Sequence, residues 1–459
     1  MSVQFFHSVR LNKEACAGCT NCVKRCPTQA IRVRDGKAKI ITEKCIDCGE
    51  CIRVCPHHAK RAVYDSLSIL ADHPYNVALP APALYGQFRN LDDVDILLNG
   101  LLKLGFDQVF EVSEAAEVVS AATRACMEKM KKPVISSACP AVTRLIRVRF
   151  PSLIDRVLPL NAPVELAAHM AKEEAVKKTG LPESDIGLIF LTPCPAKVTA
   201  IRMPLGLDQS ELTGAVAISE IYAPLAHAMN EIQRSGEPLK PLSKSGRIGV
   251  GWAIGGGEAA GTLRENYLAA DGIENVIRVL EDLEDEKLGH LDFIELNACS
   301  GGCVGGVLTV ENPYIARTRL KLLRRYLPVS IQHEEDARNQ EGLEWNTPLD
   351  YAPVYSLDPD IGKAVEKMRL IDRLTEKLPG LDCGSCGAPT CRALAEDVVL
   401  GFARPESCIY LMKDYIRSLS RWLRDPDVEK EDIPLPEEWQ VFRKEDRSEQ
   451  KDDSAEGAD

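Results

Sequence analysis

A chain of 459 residues with 45% hydrophobic content is long enough for about three domains of roughly 150 residues, each with a core of its own. Its net charge of −12 argues against nucleic acid as a main partner. No apolar run reaches the ~18 residues of a membrane span and residues 1–12 carry no charged-then-apolar leader pattern, so a cytoplasmic protein with no membrane span is expected. Seventeen cysteines, mostly in C-x-x-C groups, point in a reducing compartment to metal rather than to disulfides.

The first segment is an internal repeat. Cys16-x-x-Cys19-x-x-Cys22-x-x-x-Cys26-Pro27 is followed by Cys45-x-x-Cys48-x-x-Cys51-x-x-x-Cys55-Pro56, the bacterial two-cluster ferredoxin pattern, in which the fourth cysteine of each run ligates the other cluster. One cube would use Cys16, Cys19, Cys22 and Cys55, and the other Cys45, Cys48, Cys51 and Cys26. A zinc site does not need eight thiolates in duplicated spacing. Between the runs, 30–33 and 38–41 flank Asp35-Gly36, a hairpin signal. His57 and His58 read as solvated.

From about residue 75 the pattern alternates strand and helix, implying sheets with helices on both faces. Strands are expected at 77–79, 108–112, 133–137 and 186–191, and helices at 115–132, 163–178 and 219–232, the last with Ser219 as N-cap. Gly249-x-Gly251 and Gly255-Gly256-Gly257 invite a dinucleotide reading, but Ile254 stands where the third glycine belongs. A tight strand-to-helix turn is expected instead.

Three loops in this region place cysteines just past strand-like runs, where ligands gather in open α/β sheets. They are Ser136-Ser137-Ala138-Cys139-Pro140, Thr192-Pro193-Cys194-Pro195-Ala196-Lys197, and Glu295-x-x-x-Cys299-Ser300-Gly301-Gly302-Cys303-x-Gly305-Gly306. Together they supply four cysteines, the number a cubane cluster needs.

In order and spacing these loops resemble the signature segments of the catalytic domain of [FeFe]-hydrogenases. The resemblance covers roughly residues 74–326. It implies a two-lobed α/β domain with the active site in the cleft between its lobes. It also implies that Cys139, Cys194, Cys299 and Cys303 hold a [4Fe-4S] cube, with Cys303 bridging to a di-iron unit that carries CO, cyanide and an azadithiolate. Lys197 would then give a charge-assisted hydrogen bond to an iron-bound cyanide. Pro82 would line the same site.

Departures from the family pattern fall around that site. Active members carry a proton-relaying cysteine where this chain has Ala138, and a methyl group cannot exchange protons. A cyanide-bonding serine stands as Ala83, two cluster-packing methionines as Thr192 and Asn297, and a glutamate as Ala200. Glu111, Glu165, Glu258 and Glu295 are carboxylates near the motifs that could support another proton route, but each reads first as structural or solvated. Cys126 reads as a buried small hydrophobe, and 317–325 as a basic helix with a solvated or docking face.

Residues 334–355 lack periodicity and read as a linker. A helix at 361–377 then leads to Cys383-x-x-Cys386-x4-Cys391 with Cys408 downstream, resembling a small [4Fe-4S] domain of multi-centre redox proteins and supplying an extra electron exit. A closing helix is expected at 407–423, and the tail from 425 is acidic and expected to be partly disordered.

The expected division is a two-cluster ferredoxin-like α+β module at 1–73, the hydrogenase domain at 74–333, a linker at 334–360, a helical [4Fe-4S] domain at 361–424 and the tail at 425–459. This order, with Ala138 before the first ligand, is similar to the sensory group of [FeFe]-hydrogenases that lacks a PAS-type domain. The resemblance implies slow, reversible heterolytic splitting and formation of H2. Electrons would pass through four [4Fe-4S] clusters to a redox or signalling protein, with the di-iron unit delivered by maturation proteins. The alternatives are a ferredoxin-linked or electron-bifurcating hydrogenase with another proton route, and a non-catalytic iron–sulfur electron-transfer or assembly protein. Whether the chain pairs as a homodimer stays open.

Overall fold

The structure, a computed structural model, describes residues 6–89, 91–331, 341–353 and 357–424. In chain order its strands are β1 (Val9–Leu11), β2 (Ile31–Arg34), β3 (Lys37–Ile40), β4 (Lys60–Ala62), β5 (Tyr75–Pro80), β6 (Gln108–Val109), β7 (Val134–Ile135), β8 (Ile186–Thr192), β9 (Gly214–Ala217), β10 (Tyr267–Asp271) and β11 (Phe293–Asn297). The chain packs as two compact units, Met1–Asn12 with Lys44–Pro353, and Lys13–Glu43 with Val354–Asp459. The expected 1–73 module is thus divided between them.

Two parallel sheets organise the larger unit, in the orders β6-β5-β8-β9 and β10-β11-β7. Every residue of β8 and β9 is buried, and all of β5 after Tyr75. Strands covered on both faces must be apolar throughout, which is why they read as continuous runs rather than as alternation. β5 continues through a helix to β6 on one side, while β8 lies on its other side. The carboxyl ends of β5 and β8 therefore flank a switch point, where loops diverge and leave a crevice. Helix Pro163–Thr179 opens on proline and closes on Gly180 at φ +71°, the favoured start and stop residues.

Several expected boundaries shift. The strand at 108–112 ends at Val109, and the helix opens at Val112 and closes at Met127 rather than running from 115 to 132; Pro133 disfavours helical geometry in the residue before it. Ser219 is not an N-cap: the helix is Ile218–Ser235, and the Ser219 N–H in its first turn donates to Leu308 O at 2.8 Å instead. The glycines at 249–257 do not form a strand-to-helix turn. They join two short helices, Arg247–Gly251 and Gly257–Gly261, and Gly255 N donates to Gly301 O at 3.1 Å, so this segment braces the last cysteine loop.

The basic stretch expected at 317–325 is the end of helix Pro313–Leu323 followed by a turn. Of the expected linker, 334–340 and 354–356 lie outside the described residues, as does the tail at 425–459. Residues 341–353 are built into the larger unit, where Asn161 donates to Gly342 O at 2.8 Å and Trp345 N to Pro159 O at 3.1 Å. Among the described residues no helix is long and apolar enough to cross a membrane.

The smaller unit joins the hairpin β2–β3, turned by Asp35 and Gly36 at positive φ as a primed turn requires, to helices Ile361–Lys377, Cys391–Val399 and Ile409–Arg424. The expected closing helix thus begins at Ile409, after a short turn at Pro405–Ser407. Ile371, Leu374, Leu394 and Val398 form the apolar centre of the C-terminal segment. Asp397 accepts from both Arg32 Nε and Arg34 Nη2 at 2.6 Å, which ties the hairpin to it.

Candidate active site and cluster loops

Cys139 follows β7 as the N-cap residue of helix Pro140–Arg149, and Cys194 follows β8 as the N-cap residue of helix Pro195–Arg202. Each helix opens on proline, whose fixed φ turns the strand directly into the helix. Both thiols therefore sit at the positive end of a helix dipole, which favours anionic sulfur. Cys299 and Cys303 follow β11 on a loop that curls through Gly301 and Gly302, both at positive φ.

The Cys303 loop is tied to the Cys194 loop and to the glycine segment at 249–257. Leu308 N donates to Pro193 O at 3.0 Å, and Val304 N to Ala253 O at 3.1 Å. A Cβ on Gly306 would stand 2.2 Å from Pro193 O. Gly306→Ala should therefore push the Cys303 loop from the Cys194 loop; in the reconstituted protein we expect fewer bound iron atoms per chain, read by iron analysis, with the N-terminal cysteine runs unaffected.

The four thiols lie close enough to act on one another's ionisation. Burial pushes up the Cys139, Cys194 and Cys299 thiols, Cys194 to about 12, and neighbouring thiolates add to the effect. Four sulfurs gathered this closely suit a cationic iron cluster, since soft thiolates are its natural donors. Lys197, in the first turn of its helix, donates to Cys303 Sγ at 3.5 Å. Burial works against its charge, but the thiolates of Cys303, Cys194 and Cys139 and the hydrogen bond to Cys303 outweigh it and hold the ammonium above the usual lysine range.

Beside Cys303 and Lys197 opens a cavity lined by Pro82, Ala83, Ala138, Glu258, Glu295 and Asn297, among others. Ala138 and Lys197 also line a second cavity that reaches Glu165, Ala200 and Trp345. The departures from the family pattern thus cluster on cavity walls: Ala83, Ala138 and Asn297 on the first, Ala138 and Ala200 on the second. Thr192 is fully buried, and its hydroxyl accepts from Cys194 N at 3.4 Å.

The carboxylates are not solvated. Glu295 accepts from Gly256 N at 3.0 Å, Ala259 N at 2.8 Å and Asn297 Nδ2 at 2.7 Å. Glu258 accepts from Ser136 Oγ at 2.7 Å, and among the described residues its buried Oε1 has no hydrogen-bond partner. Burial, with the charge of Glu295 beside it, raises the Glu258 carboxyl above the usual range and favours its protonated form. Glu165, bonded to Ser210 Oγ at 2.7 Å, is raised by burial to about 7. Glu111 takes Tyr85 Oη at 2.8 Å and Lys244 N at 2.6 Å, a structural role.

The duplicated cysteine runs show their repeat in the backbone. Ala30 N donates to Cys26 Sγ at 3.2 Å and Ala59 N to Cys55 Sγ at 3.3 Å, each four residues on, the kind of N–H to sulfur bond that tunes a cluster. His57 and His58 are exposed, as expected. His7 and Asp47 escaped the sequence reading: His7 Nδ1 lies 2.7 Å from Asp47 Oδ2, both buried, beside Cys45. No sequence spacing links residue 7 to residue 47. Cys126 is half-buried against the core rather than enclosed. In the smaller unit, Cys386, Cys391 and Cys408 pack around its apolar centre, and Cys383 leads into the same loop.

Cysteine loops of this density, set on parallel sheets and on a duplicated ferredoxin-type repeat, define an iron–sulfur protein of electron transfer. A 4Fe-4S dicluster domain model matches residues 8–56, and an Fe–S cluster model residues 378–410. The chain belongs to the family of the iron only hydrogenase large subunit, C-terminal domain, whose model matches residues 75–264 and 254–307, more than half of its length.

Among curated relatives, the chain is 23% identical over 351 residues to the NADP-reducing hydrogenase subunit HndD of Solidesulfovibrio fructosivorans, covering 65% of this chain and 56% of that one. It is 29% identical over 135 residues to the cytosolic Fe-S cluster assembly factor nar1 of Aspergillus flavus, covering 29% of this chain and 24% of the other. The chain thus spans about half the length of the first relative and a quarter of the second. A solved variant of the [FeFe]-hydrogenase HydA1 from Chlamydomonas reinhardtii aligns with a TM-score of 0.43 at 16% identity, over 62% of this chain and 98% of that one.

Proposed function

We propose that this protein is a slow [FeFe]-hydrogenase that reports hydrogen or redox state through its clusters. The observation that carries the reading is the Lys197 ammonium 3.5 Å from Cys303 Sγ, at the edge of a cavity whose wall presents Ala138 where a thiol would relay protons. Cys139, Cys194, Cys299 and Cys303 would hold the cube, and Cys303 would join it to the di-iron unit. When bound, that unit supplies heterolytic cleavage of H2 into a proton, a hydride equivalent and, in turn, single electrons.

This chain's own residues do the rest. Lys197 orients and neutralises negative charge beside Cys303 in a largely apolar cavity, where a charge-assisted hydrogen bond is stronger than in water. Thr192 fixes the backbone at Cys194. Glu258 holds a proton on the same cavity wall as Ala138, and Ser136 Oγ, which donates to Glu258 and accepts from Ala138 N at 3.1 Å, keeps the carboxyl in place. A single protonated carboxyl stands in for a relay, and proton delivery limits the rate.

The test is maturation with the di-iron assembly proteins, followed by infrared spectroscopy and a hydrogen assay. CO and cyanide stretching bands should appear, with H2 evolution orders of magnitude below that of cysteine-bearing relatives. Bands with turnover as fast as theirs would overturn the sensory part of the reading. A second reading, an iron–sulfur protein without a di-iron unit, draws support from the likeness to an assembly factor and from the polar or small residues at 83, 192 and 297. Absence of the bands would favour it.

A further inference from the structure

We propose that the C-terminal cysteine loop exchanges electrons directly with the first ferredoxin half, across a docking clamp made by Arg32, Arg34 and Asp397 with Lys24 between the two cysteine loops. The inference rests on both loops holding iron–sulfur clusters, and not on a di-iron unit elsewhere.

The contact is built at several levels. Asp397, 6% exposed, takes the Arg32 and Arg34 guanidiniums on a single oxygen, and Arg32 is itself 6% exposed. Charges are taken out of water in this way only where the geometry compensates them. Arg34 Nη1 also donates to Cys386 O at 2.7 Å, and Val33 N to Gly387 O at 2.8 Å, so the hairpin is bonded to the backbone of a proposed ligand and of its neighbour. Gly387 sits at φ +79°, and a Cβ there would fall 1.9 Å from Val33 O, so only glycine permits this approach.

Lys24, between Cys22 and Cys26, is the second link. Its stem crosses Gly384, between Cys383 and Cys386, close enough that a Cβ at 384 would meet Lys24 Cε at 3.1 Å. Two cluster-binding loops thus touch through one exposed lysine. Cations there favour the more negative, reduced form of either cluster, since net charge and hydrogen bonding set cluster potentials. In the transfer, one electron leaves the cluster held through Cys16, Cys19 and Cys22, which is oxidised by one. It enters the cluster held through Cys383, Cys386, Cys391 and Cys408, which is reduced by one, and no proton or bond moves.

The experiment uses the full chain reconstituted with iron and sulfide, reduced with dithionite in the absence of H2, so a missing di-iron unit leaves it intact. Low-temperature electron paramagnetic resonance should show spin–spin broadening between the reduced clusters. Asp397→Ala should remove it, and Asp397→Glu should restore most of it. Lys24→Glu, at an exposed position, should shift the reduction midpoint of the C-terminal cluster to more negative potential. If Asp397→Ala loses iron, Lys24→Glu decides. A wild-type spectrum that is the plain sum of isolated clusters, or a midpoint untouched by Lys24→Glu, would overturn the proposal.

Discussion

Replacing Lys197 with alanine is expected to lower H2 turnover of the matured protein by about 10²–10³-fold, the loss seen when one charge-stabilising donor is removed from a closed site. The structure gives the reason in two parts. Lys197 is the cation whose ammonium reaches Cys303 Sγ, and the neighbouring thiolates raise its affinity for the proton, so it stays charged at every working pH. Arginine would keep the charge but not the compact point donor. Lys197→Arg should recover only part of the activity. Shifted or weakened cyanide bands in the infrared spectrum would show that the loss arises at the site. Unchanged bands and turnover would place Lys197 outside the chemistry.

Glu258→Gln carries the second large effect. Glutamine keeps the Ser136 contact and the volume but cannot pass a proton, so turnover should fall by about 10²–10⁴-fold, the usual worth of a positioned acid or base. A stability signature accompanies it. In the unfolded chain Glu258 ionises near 4.3, while burial beside Glu295 raises its native value. The native state therefore binds more protons across that window. Its contribution is fully present below the unfolded value and is lost as pH rises to the native one. Melting of the wild type should weaken as pH rises from about 5 through neutrality, and the variant should show a flatter profile. A variant with wild-type turnover would remove Glu258 from the proton route.

What the sequence made legible was whatever depends on residue type at fixed spacing. Cysteine spacing leaves that trace, so the duplicated runs, the three strand-end loops and the C-terminal set could all be picked out, and Lys197 through its offset from Cys194. Apolar runs such as 186–191 marked the buried parallel strands. Less legible was anything settled by partners far along the chain. Glu258 and Glu295 looked like solvated or structural carboxylates because nothing local says that Gly256, Ala259 and Ser136 converge on them. Ser219 resembled an N-cap until the Leu308 carbonyl was seen to satisfy its amide. The pairing of Arg32 and Arg34 with Asp397, more than 360 residues away, has no local trace.

That last pairing has a consequence for how the protein is made. At translation speeds of roughly 5–20 residues per second, the 365 residues between Arg32 and Asp397 correspond to a wait of roughly 20–70 s. Throughout it, the hairpin that follows the earliest cysteines lacks its companion surface. Long-range closure of this kind is slow in its own right. The cysteine run at 16–26, which adjoins that hairpin, is therefore among the last to gain its full set of packing partners.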